Sequence, residues 1–439
     1  MRIIQYIPDF ELGGVQKAGC VLAAEFSQLG HEAWVVSSRS GPRFCAKATK
    51  NLTHTILQNT RPETLVHLAE ELKCDVLHIH AAAFQEKTIS CFADNKTRNA
   101  PLIVSTPVFG RPPRNNETLL HSKACCVGVY TFYRLCRWLK LDATEAVRKG
   151  IGYVPLTPFT PPQVAVSAND TTEIVATRRK LLGINLNDNH GFVVGRIGRN
   201  DTSKWHPAHE ILINQILNDC RRAVWLSMGF PYHEARRRLQ NRWKDRFYNL
   251  PETGDFNILA NALSSVDVQV FMSRNGECFS STIAEAAGLG VPTIALVNPL
   301  KDNGQAEQII SGVTGELVAD TRGMVDLICR FAKDNDKLTN LKKSCASYAE
   351  RRWHIRRVSL DLADLYSFWR GQSNPDYLLQ MLNEHQAFAN RYHKQMIDLK
   401  APTIIHRLVW KLLLSAVENW STFKCGRAIK RVLSEASVL

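Results

Sequence analysis

Short apolar runs alternate with helical repeats along the first 156 residues of the chain. Continuous apolar runs bounded by turn residues predict buried strands. Here the runs are RIIQYI (2–7), EAWVVSS (32–38), DVLHIH (75–80), LIVST (102–106), ACCVGVY (124–130) and GIGYVPL (150–156). Apolar residues at helical spacing lie between the earlier runs, at 18–29 and 64–73. Strands that are apolar throughout, with helices between them, predict a parallel sheet covered on both faces.

A second alternation of the same kind follows a proline-rich stretch, TPFTPPQVAVSAND (157–170), which we interpret as a linker. The strand candidates beyond it are FVVGRIG (192–198), RAVWLSMG (222–229), VDVQVFMS (266–273), VPTIALV (291–297) and GELVAD (315–320). Helical patterns lie among them at 208–220, 256–265 and 281–290, and the chain is mostly helical from about 322. We therefore predict an α/β protein with two doubly wound, Rossmann-like domains.

The predicted domains are 1–165 and 166–368, facing each other across a cleft, with a helical extension at 369–439. The length of 439 residues supports two domains, because single hydrophobic cores stop growing well below it. No apolar run reaches the roughly 18 residues of a membrane-spanning helix, and the first residues do not form a signal peptide. The 12 cysteines form no C-x-x-C pair, which argues against a zinc ribbon. A cytoplasmic protein is the simplest expectation.

Charge adds one feature to this picture. Lysine and arginine number 55, aspartate and glutamate 41, so the net charge of +14 favours contact with phosphates, anionic lipid or nucleic acid. Basic runs lie at 235–246 and 351–357, and apolar residues recur at helical spacing beside Arg407 and Lys411 in the tail. The tail pattern predicts either an interfacial helix on an anionic membrane surface or a helix packed on the first domain. Peripheral attachment to the cytoplasmic membrane is therefore one expectation.

Ligands of open α/β sheets bind beyond the carboxyl ends of the strands, and three loops of this chain lie there. The first loop, DFELGGVQKA (9–18), carries Gly13 and Gly14, which let a backbone approach an anion closely at the start of a helix. The second, GRIGRNDTSKW (195–205), carries Arg196, Arg199 and Lys204. Fixed cations of this kind can hold a diphosphate and stabilise its charge as it leaves.

The third loop, RNGECFSST (274–282), places two glutamates around the start of a predicted helix. Thr282 is predicted to begin that helix, and Thr282-x-x-Glu285 fits a capping box, so helix capping explains Glu285 without any chemistry. Glu277 has no such explanation. Its carboxylate can accept hydrogen bonds from sugar hydroxyls, while the amides of Ser280, Ser281 and Thr282 can hold phosphate oxygens.

These segments together resemble a known family. GGVQK (13–17), GRIGRNDTSK (195–204) and the pair Glu277 and Glu285 followed by EAAGLGVPTIAL resemble the retaining glycosyltransferases of the GT-B fold, family 4 type, over about residues 1–368. The segment DNGQAEQII (302–310) is similar to transferases that build bacterial capsule, exopolysaccharide or lipopolysaccharide. The resemblance implies a UDP- or GDP-sugar as donor substrate, a glycan or lipid-linked acceptor, no cofactor and no metal.

The resemblance also implies roles for particular residues. Glu277 would bind hydroxyls of the donor sugar and Glu285 those of the ribose. Arg196 and Lys204 would hold the diphosphate, with Arg199 as a possible substitute. The backbone would complete this site through Gly13 and Gly14 and through the amides of Phe279, Ser280, Ser281 and Thr282. No carboxylate is identifiable as a covalent nucleophile, so attack from the face of the departing diphosphate is expected.

The sequence departs from the family at two places. Ser280 replaces the usual glycine, and TPVFG (106–110) lacks the histidine that many members place there, so His78 and His80 are the nearby candidates for sugar or acceptor contact. Two other classes of function stay open: a non-catalytic glycan-binding or scaffold protein on the same fold, and a nucleic-acid-binding protein. Asp9 and Glu11 only superficially suggest a metal site.

Overall fold

The computed structural model describes residues 1–8, 14–38, 61–94, 100–115, 117–156, 172–184, 191–297, 302–372 and 375–398. Contacts divide the chain into two compact units. The first comprises Met1–Thr160 and Arg352–Asn390, and the second comprises Pro161–Arg351 and Arg391–Leu439. The second predicted boundary, at 368, is therefore too late, because the chain returns to the first unit at 352.

The first unit is built on six parallel strands in the order β2-β1-β3-β4-β5-β6. They are β1 (Arg2–Ile7), β2 (Glu32–Ser37), β3 (Val76–Ala81), β4 (Leu102–Pro107), β5 (Lys123–Cys126) and β6 (Ile151–Tyr153). The helices are α1 (Gly14–Gln28), α2 (Pro62–Glu71), α3 (Glu86–Asp94), α4 (Thr118–His121), α5 (Val129–Leu139) and α6 (Ala143–Arg148). The predicted strands of this half are confirmed as elements, with two errors of length. The run GIGYVPL continues past its strand, which ends at Tyr153, and the other error concerns β5.

That error lies in the run ACCVGVY, where the strand ends at Cys126 and helix α5 begins at Val129. Gly128 separates the two elements. The hydroxyl of Thr131 accepts from the N–H of Gly128 at 3.2 Å and donates to its carbonyl at 2.9 Å, which closes the first turn of the helix. Val129 and Tyr130 are buried in the helix, as residues of a central strand would be, so the apolar run continues past the boundary between the two elements.

Two helices from the end of the chain complete the first unit, α15 (Ile355–Trp369) and α16 (Pro375–Asp398). The hydroxyl of Tyr366 lies 2.6 Å from Nδ1 of His78 in β3. Arg370 donates to Asp75 at 2.7 Å, ahead of the same strand. On α16, the carboxylate of Glu384 accepts from the hydroxyl of Tyr153 at 2.9 Å. These contacts, of which that of Tyr366 is buried and that of Arg370 exposed, explain why 352–390 belongs with the first sheet.

The second unit is built on six parallel strands in the order β14-β12-β10-β7-β8-β9. They are β7 (Phe192–Ile197), β8 (Ala223–Met228), β9 (Phe247–Leu250), β10 (Val268–Phe271), β12 (Thr293–Leu296) and β14 (Gly315–Val318). A separate parallel pair joins β11 (Gly276–Glu277) to β13 (Asp302–Asn303). All five predicted strands are present, whereas β9 and the short pair were not predicted.

Helices cover the sheet of the second unit. They are α7 (Thr172–Leu181), α8 (His209–Asp219), α9 (His233–Trp243), α10 (Phe256–Ser264), α11 (Ser281–Gly288), α12 (Gln305–Gln308), α13 (Thr321–Phe331) and α14 (Asn335–Trp353). A 3-10 turn at Lys244–Arg246 follows α9. In the described ranges, no helix has the length and apolarity needed to cross a bilayer. The predicted tail helix around Arg407 lies outside the described residues.

Candidate donor-binding site

The central strands of the second sheet, β7 and β10, are neighbours that run parallel. Strand β7 pairs with β8 on one side and β10 on the other, so the strand order changes direction here. Such a change leaves a crevice beyond the carboxyl ends of the two strands, which is where open α/β sheets bind ligands. The loops that follow β7 and β10 are the two that carry the predicted cations and glutamates.

Lys204 and Glu277 meet at this edge of the sheet. Nζ of Lys204 lies 2.9 Å from both carboxylate oxygens of Glu277. The side chains are 30% and 11% exposed, so the pair is accessible without being fully solvated. The structure therefore brings together the cation and the carboxylate that the sequence predicted to share a site, although they are 73 positions apart.

The loop that carries Lys204 is held by its own hydrogen bonds. The amide of Lys204 donates to the carbonyl of Asp201, and the amide of Ser203 donates to the carboxylate of Asp201 at 2.8 Å. Burial raises the pKa of Asp201, but the bonds from Ser203 and the charges of Arg199 and Lys204 outweigh it, so the pKa lies below its usual value. Trp205, which is buried, donates from Nε1 to the carbonyl of Arg199 at 2.9 Å.

Arg196 supports this loop from inside the protein. It is only 2% exposed, and its guanidinium carbon lies 4.2 Å from the centre of the Phe271 ring. It donates to the carbonyl oxygens of Ile197 at 3.0 Å and Lys204 at 3.3 Å. Burial lowers the pKa of Arg196 to about 10, against the opposing effect of Glu277, so the group is a cation at neutral pH. Its placement favours support of Lys204 over contact with a diphosphate.

Arg199 differs from Arg196 in its surroundings. It follows the end of β7 and is exposed on the loop that leads to Lys204. Arg199 and Lys204 thus lie five positions apart on the loop that follows β7. The sequence named Arg199 as a possible substitute for Arg196, and the structure gives it the more accessible position.

The backbone of Glu277 is fixed by the chain segment at 302–304. Gly276 and Glu277 pair in parallel with Asp302 and Asn303, and the amide of Gly304 donates to the carbonyl of Glu277 at 2.7 Å. Gly304 allows this approach because a Cβ there would lie 1.7 Å from the carbonyl oxygen of Cys278. The carboxylate is thus carried on a rigid element, although the sequence predicted a loop.

Helix α11 begins one residue earlier than predicted. Its N-cap is Ser280 and its first residue is Ser281, so Thr282 lies within the first turn and Glu285 is five positions past the N-cap. The predicted capping box is therefore wrong, because that motif requires a spacing of three. Glu285 is buried on α11. A role in binding ribose hydroxyls stays a prediction.

The amides predicted to bind phosphate are not all in the same situation. Phe279 and Ser280 are buried, whereas Ser281 and Thr282 are half-buried at the start of α11. The N–H of Ser280 donates to Oε1 of Gln308 at 2.7 Å, so it already has a partner inside the protein. Phosphate binding by the amides of 279–282 stays a prediction, and Ser281 and Thr282 have the more open positions.

His78 and His80 lie within β3 (Val76–Ala81). Both are buried. The ring of His78 is bonded at 2.6 Å to the hydroxyls of Tyr366 and Thr106, and that of His80 contacts Gln5. Burial lowers the pKa of His78 well below its usual value and that of His80 to about 3, so both rings are neutral at pH 7. Contact with an acceptor stays a prediction that this enclosure does not favour.

Half of the first loop, 9–13, lies outside the described residues. Gly14 begins α1, whereas Gly13, Asp9 and Glu11 are among the residues that are not described. The described parts of the chain contain no group of three or more His, Cys, Asp or Glu side chains that could hold a metal ion. The predicted absence of a metal and of a cofactor stays a prediction.

The buried amide side chain of Gln308 was missed as a functional candidate, beside other buried amides of 303–308. Gln308 bonds to the Ser280 backbone, and Gln305 donates to the carbonyl of Leu296 at 3.2 Å and to Asn303 at 3.3 Å. The signal was present, because three amide residues within the six positions of 303–308 are unusual between two apolar strands. Nothing in their spacing indicated which backbone they would contact.

Together, two parallel six-stranded sheets of Rossmann type, with extra helices from the end of the chain, define the fold as GT-B, as predicted. No protein-family model and no curated protein matches the sequence.

Three solved structures with high similarity in fold are distant in sequence. A glycosyltransferase from Rickettsia africae is 15% identical, with a TM-score of 0.64 over 85% of this chain and 99% of that one. HepE from Anabaena, solved with UDP, is 16% identical, with a TM-score of 0.61 over 84% of this chain and all of that one. The lipopolysaccharide outer core galactosyltransferase WaaB is 13% identical, with a TM-score of 0.55 and coverages of 84% and 100%.

Proposed function

We propose that this protein is a retaining glycosyltransferase of the family 4 type, which moves a sugar from a nucleotide-diphosphate donor to a glycan or lipid-linked glycan. The observation that carries the proposal is the pair of Lys204 and Glu277 at the carboxyl ends of β7 and β10. A cation and a carboxylate at this edge match the two demands of such a donor, an anionic leaving group and a sugar rich in hydroxyls.

In the proposed complex, Lys204 turns from Glu277 to the diphosphate. Its Nζ and the guanidinium of Arg199 neutralise the charge that develops as the sugar–oxygen bond breaks. Glu277, relieved of its partner, accepts hydrogen bonds from hydroxyls of the donor sugar, and Glu285 accepts from the ribose. The amides of Ser281 and Thr282 add donors at the positive end of α11.

The choice of donor and acceptor follows the structural neighbours. HepE has been solved with UDP and with UDP-glucose, which supports a UDP-sugar here. WaaB acts on the lipopolysaccharide outer core, which supports an acceptor in bacterial surface polysaccharide. An acceptor of that kind would bring the enzyme to the inner face of the cytoplasmic membrane, where its net charge of +14 favours anionic lipid. Retention of configuration rests on the family resemblance.

The decisive experiment measures donor turnover in two lysine variants. Wild-type protein is screened by thermal shift against UDP-, GDP- and ADP-sugars, and the best donor is used for kinetics. We expect Lys204→Met to lower kcat/KM by about 100- to 1000-fold, the usual cost of removing one donor that stabilises a leaving charge.

Lys342→Met is a closely matched control. Nζ of Lys342 lies 2.8 Å from Asp267, the two side chains are 30% and 14% exposed, and Asp267 precedes β10 at the opposite end of the strand. We expect its kcat/KM to stay within about 3-fold of wild type. A wild-type protein that neither binds nor cleaves any nucleotide sugar would refute the proposal and favour a non-catalytic scaffold. Salt-sensitive binding to oligonucleotides alone would favour a nucleic-acid-binding protein.

A further inference from the structure

The side chain of Gln308 holds the peptide that connects Glu277 to α11. We propose that Gln308 is a positioning residue of the site, which fixes the backbone of Ser280 and so sets how Glu277 and the first turn of α11 are presented to a diphosphate donor. This inference rests on the proposed function and adds to it a residue that contacts no substrate.

The contact uses both ends of the Gln308 amide. The N–H of Ser280 donates to Oε1 at 2.7 Å, and Nε2 donates to the carbonyl oxygen of Ser280 at 2.8 Å. A primary amide can pair in this way with the N–H and the C=O of one residue, as a residue of a neighbouring strand would. Gln308 is 0% exposed, so water does not replace either bond when the side chain is shortened or made apolar.

Gln308 is itself held in place. The hydroxyl of Thr314 donates to the carbonyl of Gln308 at 2.7 Å and accepts from the amide of Ile310 at 2.8 Å. Thr314 is buried, and the next residue begins β14 of the main sheet. The backbone of Gln308 is therefore tied to the start of β14, the edge strand of the main sheet.

Two anchors from one short segment define the site loop. The amide of Gly304 holds the carbonyl of Glu277 at 2.7 Å, and four positions later Gln308 holds both backbone groups of Ser280. Only two residues, 278 and 279, lie between the anchored positions, and α11 starts directly after the second. Loss of the Gln308 anchor frees the end of the loop from which the helix begins, while Glu277 keeps its own anchor.

The test compares two buried glutamines on the same short helix. Gln308→Met removes both bonds to Ser280 and keeps an unbranched side chain of similar length. Gln305→Met removes two buried bonds of the same kind, to Leu296 and Asn303, without touching Ser280. Three quantities are measured in the full chain: the melting temperature, kcat and KM for UDP-glucose, and hydrogen exchange of backbone amides in peptides that cover 277–283.

We expect both variants to melt at lower temperature than wild type. Only Gln308→Met should lower kcat/KM for UDP-glucose, by about 10- to 100-fold, because small displacements of binding groups have effects of that size. Only Gln308→Met should speed exchange at the amide of Ser280. A Gln308→Met protein that melts earlier but keeps wild-type kcat and KM would overturn the inference.

Failure of the proposed function gives a different result. If wild-type protein neither binds nor cleaves UDP-glucose or any other nucleotide sugar, the proposed function is refuted, and the exchange data decide the structural claim. Unchanged exchange at Ser280 in Gln308→Met would then overturn the inference as well. Faster exchange at Ser280 in Gln308→Met, with no such increase in Gln305→Met, would still support Gln308 as the residue that holds this loop.

Discussion

The different positions of Arg196 and Arg199 lead to a prediction about which cation binds a diphosphate. Arg196 is enclosed between β7, the ring of Phe271 and the carbonyl of Lys204, whereas Arg199 is exposed on the loop. We expect Arg199→Gln to weaken binding of UDP by about 10-fold, or 1.4 kcal/mol, as expected for loss of one charge-assisted contact. Binding of UMP should change much less, because the second phosphate is absent.

Arg196→Met should instead act on stability. It removes two hydrogen bonds from a charged donor, at about 1.5–3 kcal/mol each, and a ring contact of about 2 kcal/mol. Against this, it removes a buried charge; burial lowers the pKa of this group from its ordinary 12.5 to about 10, a cost of about 3 kcal/mol. The net loss is about 2–5 kcal/mol, or a fall in melting temperature of roughly 4–20 °C for a unit of this size.

The assay is calorimetric titration with UDP and UMP at a temperature where circular dichroism shows both variants folded. The ratio of the two dissociation constants is the informative quantity, because a general loosening of the site changes both affinities together. We expect the ratio of the UDP constant to the UMP constant to rise in Arg199→Gln and to stay at the wild-type value in Arg196→Met. The opposite result would show that Arg196 leaves its enclosure to bind the diphosphate, and our reasoning from its burial would be wrong.

Three further predictions concern stability and the site backbone. Gly304→Ala should destabilise the protein and abolish donor turnover, because the added Cβ would lie 1.7 Å from the carbonyl oxygen of Cys278; unchanged melting and turnover would contradict this. His80→Gln should reduce the acid sensitivity of the first unit. The ring has a pKa of about 3 when folded and about 6.5 when unfolded, so its contribution to stability is fully present above pH 6.5 and has declined by about 2 kcal/mol at pH 5. Urea titrations across that pH range would measure the decline. Tyr366→Phe should cost about 1–3 kcal/mol in urea unfolding through the bond lost from His78, and a smaller loss would show that the contact adds little.

The sequence predicted the sheets better than the short elements around them. Strands such as Arg2–Ile7 and Phe192–Ile197 are buried along their length, and burial on both faces produces the continuous apolar runs that periodicity detects. Strand β9 (Phe247–Leu250) lies at the edge of its sheet and is mostly half-buried, so its apolar signal is weak beside the basic run before it. The pair β11 and β13 has two residues in each strand, too few for any period.

The site was predictable in its chemistry but not in its packing. Lys204 and Glu277 were identifiable because each follows a central strand. The burial of Arg196 could also have been inferred, since a strand covered on both faces has no exposed side. By contrast, no local pattern shows that Gln308 meets Ser280, because that contact depends on how a distant segment returns. Likewise, the sequence predicted helices beyond about 322 without showing that α15 belongs to the first unit.

The return of the chain to the first unit has a consequence for synthesis on the ribosome. The six strands of the first sheet are translated by residue 153, yet α15, which carries Tyr366 against β3, is made about 200 residues later. All strands of the second sheet emerge in the interval, the last of them ending at Val318. The first unit therefore cannot finish folding before the second sheet has been translated, unlike the usual order in which the N-terminal unit finishes first. Until its last helices arrive, the nascent first unit exposes apolar surface to chaperones and to neighbouring chains.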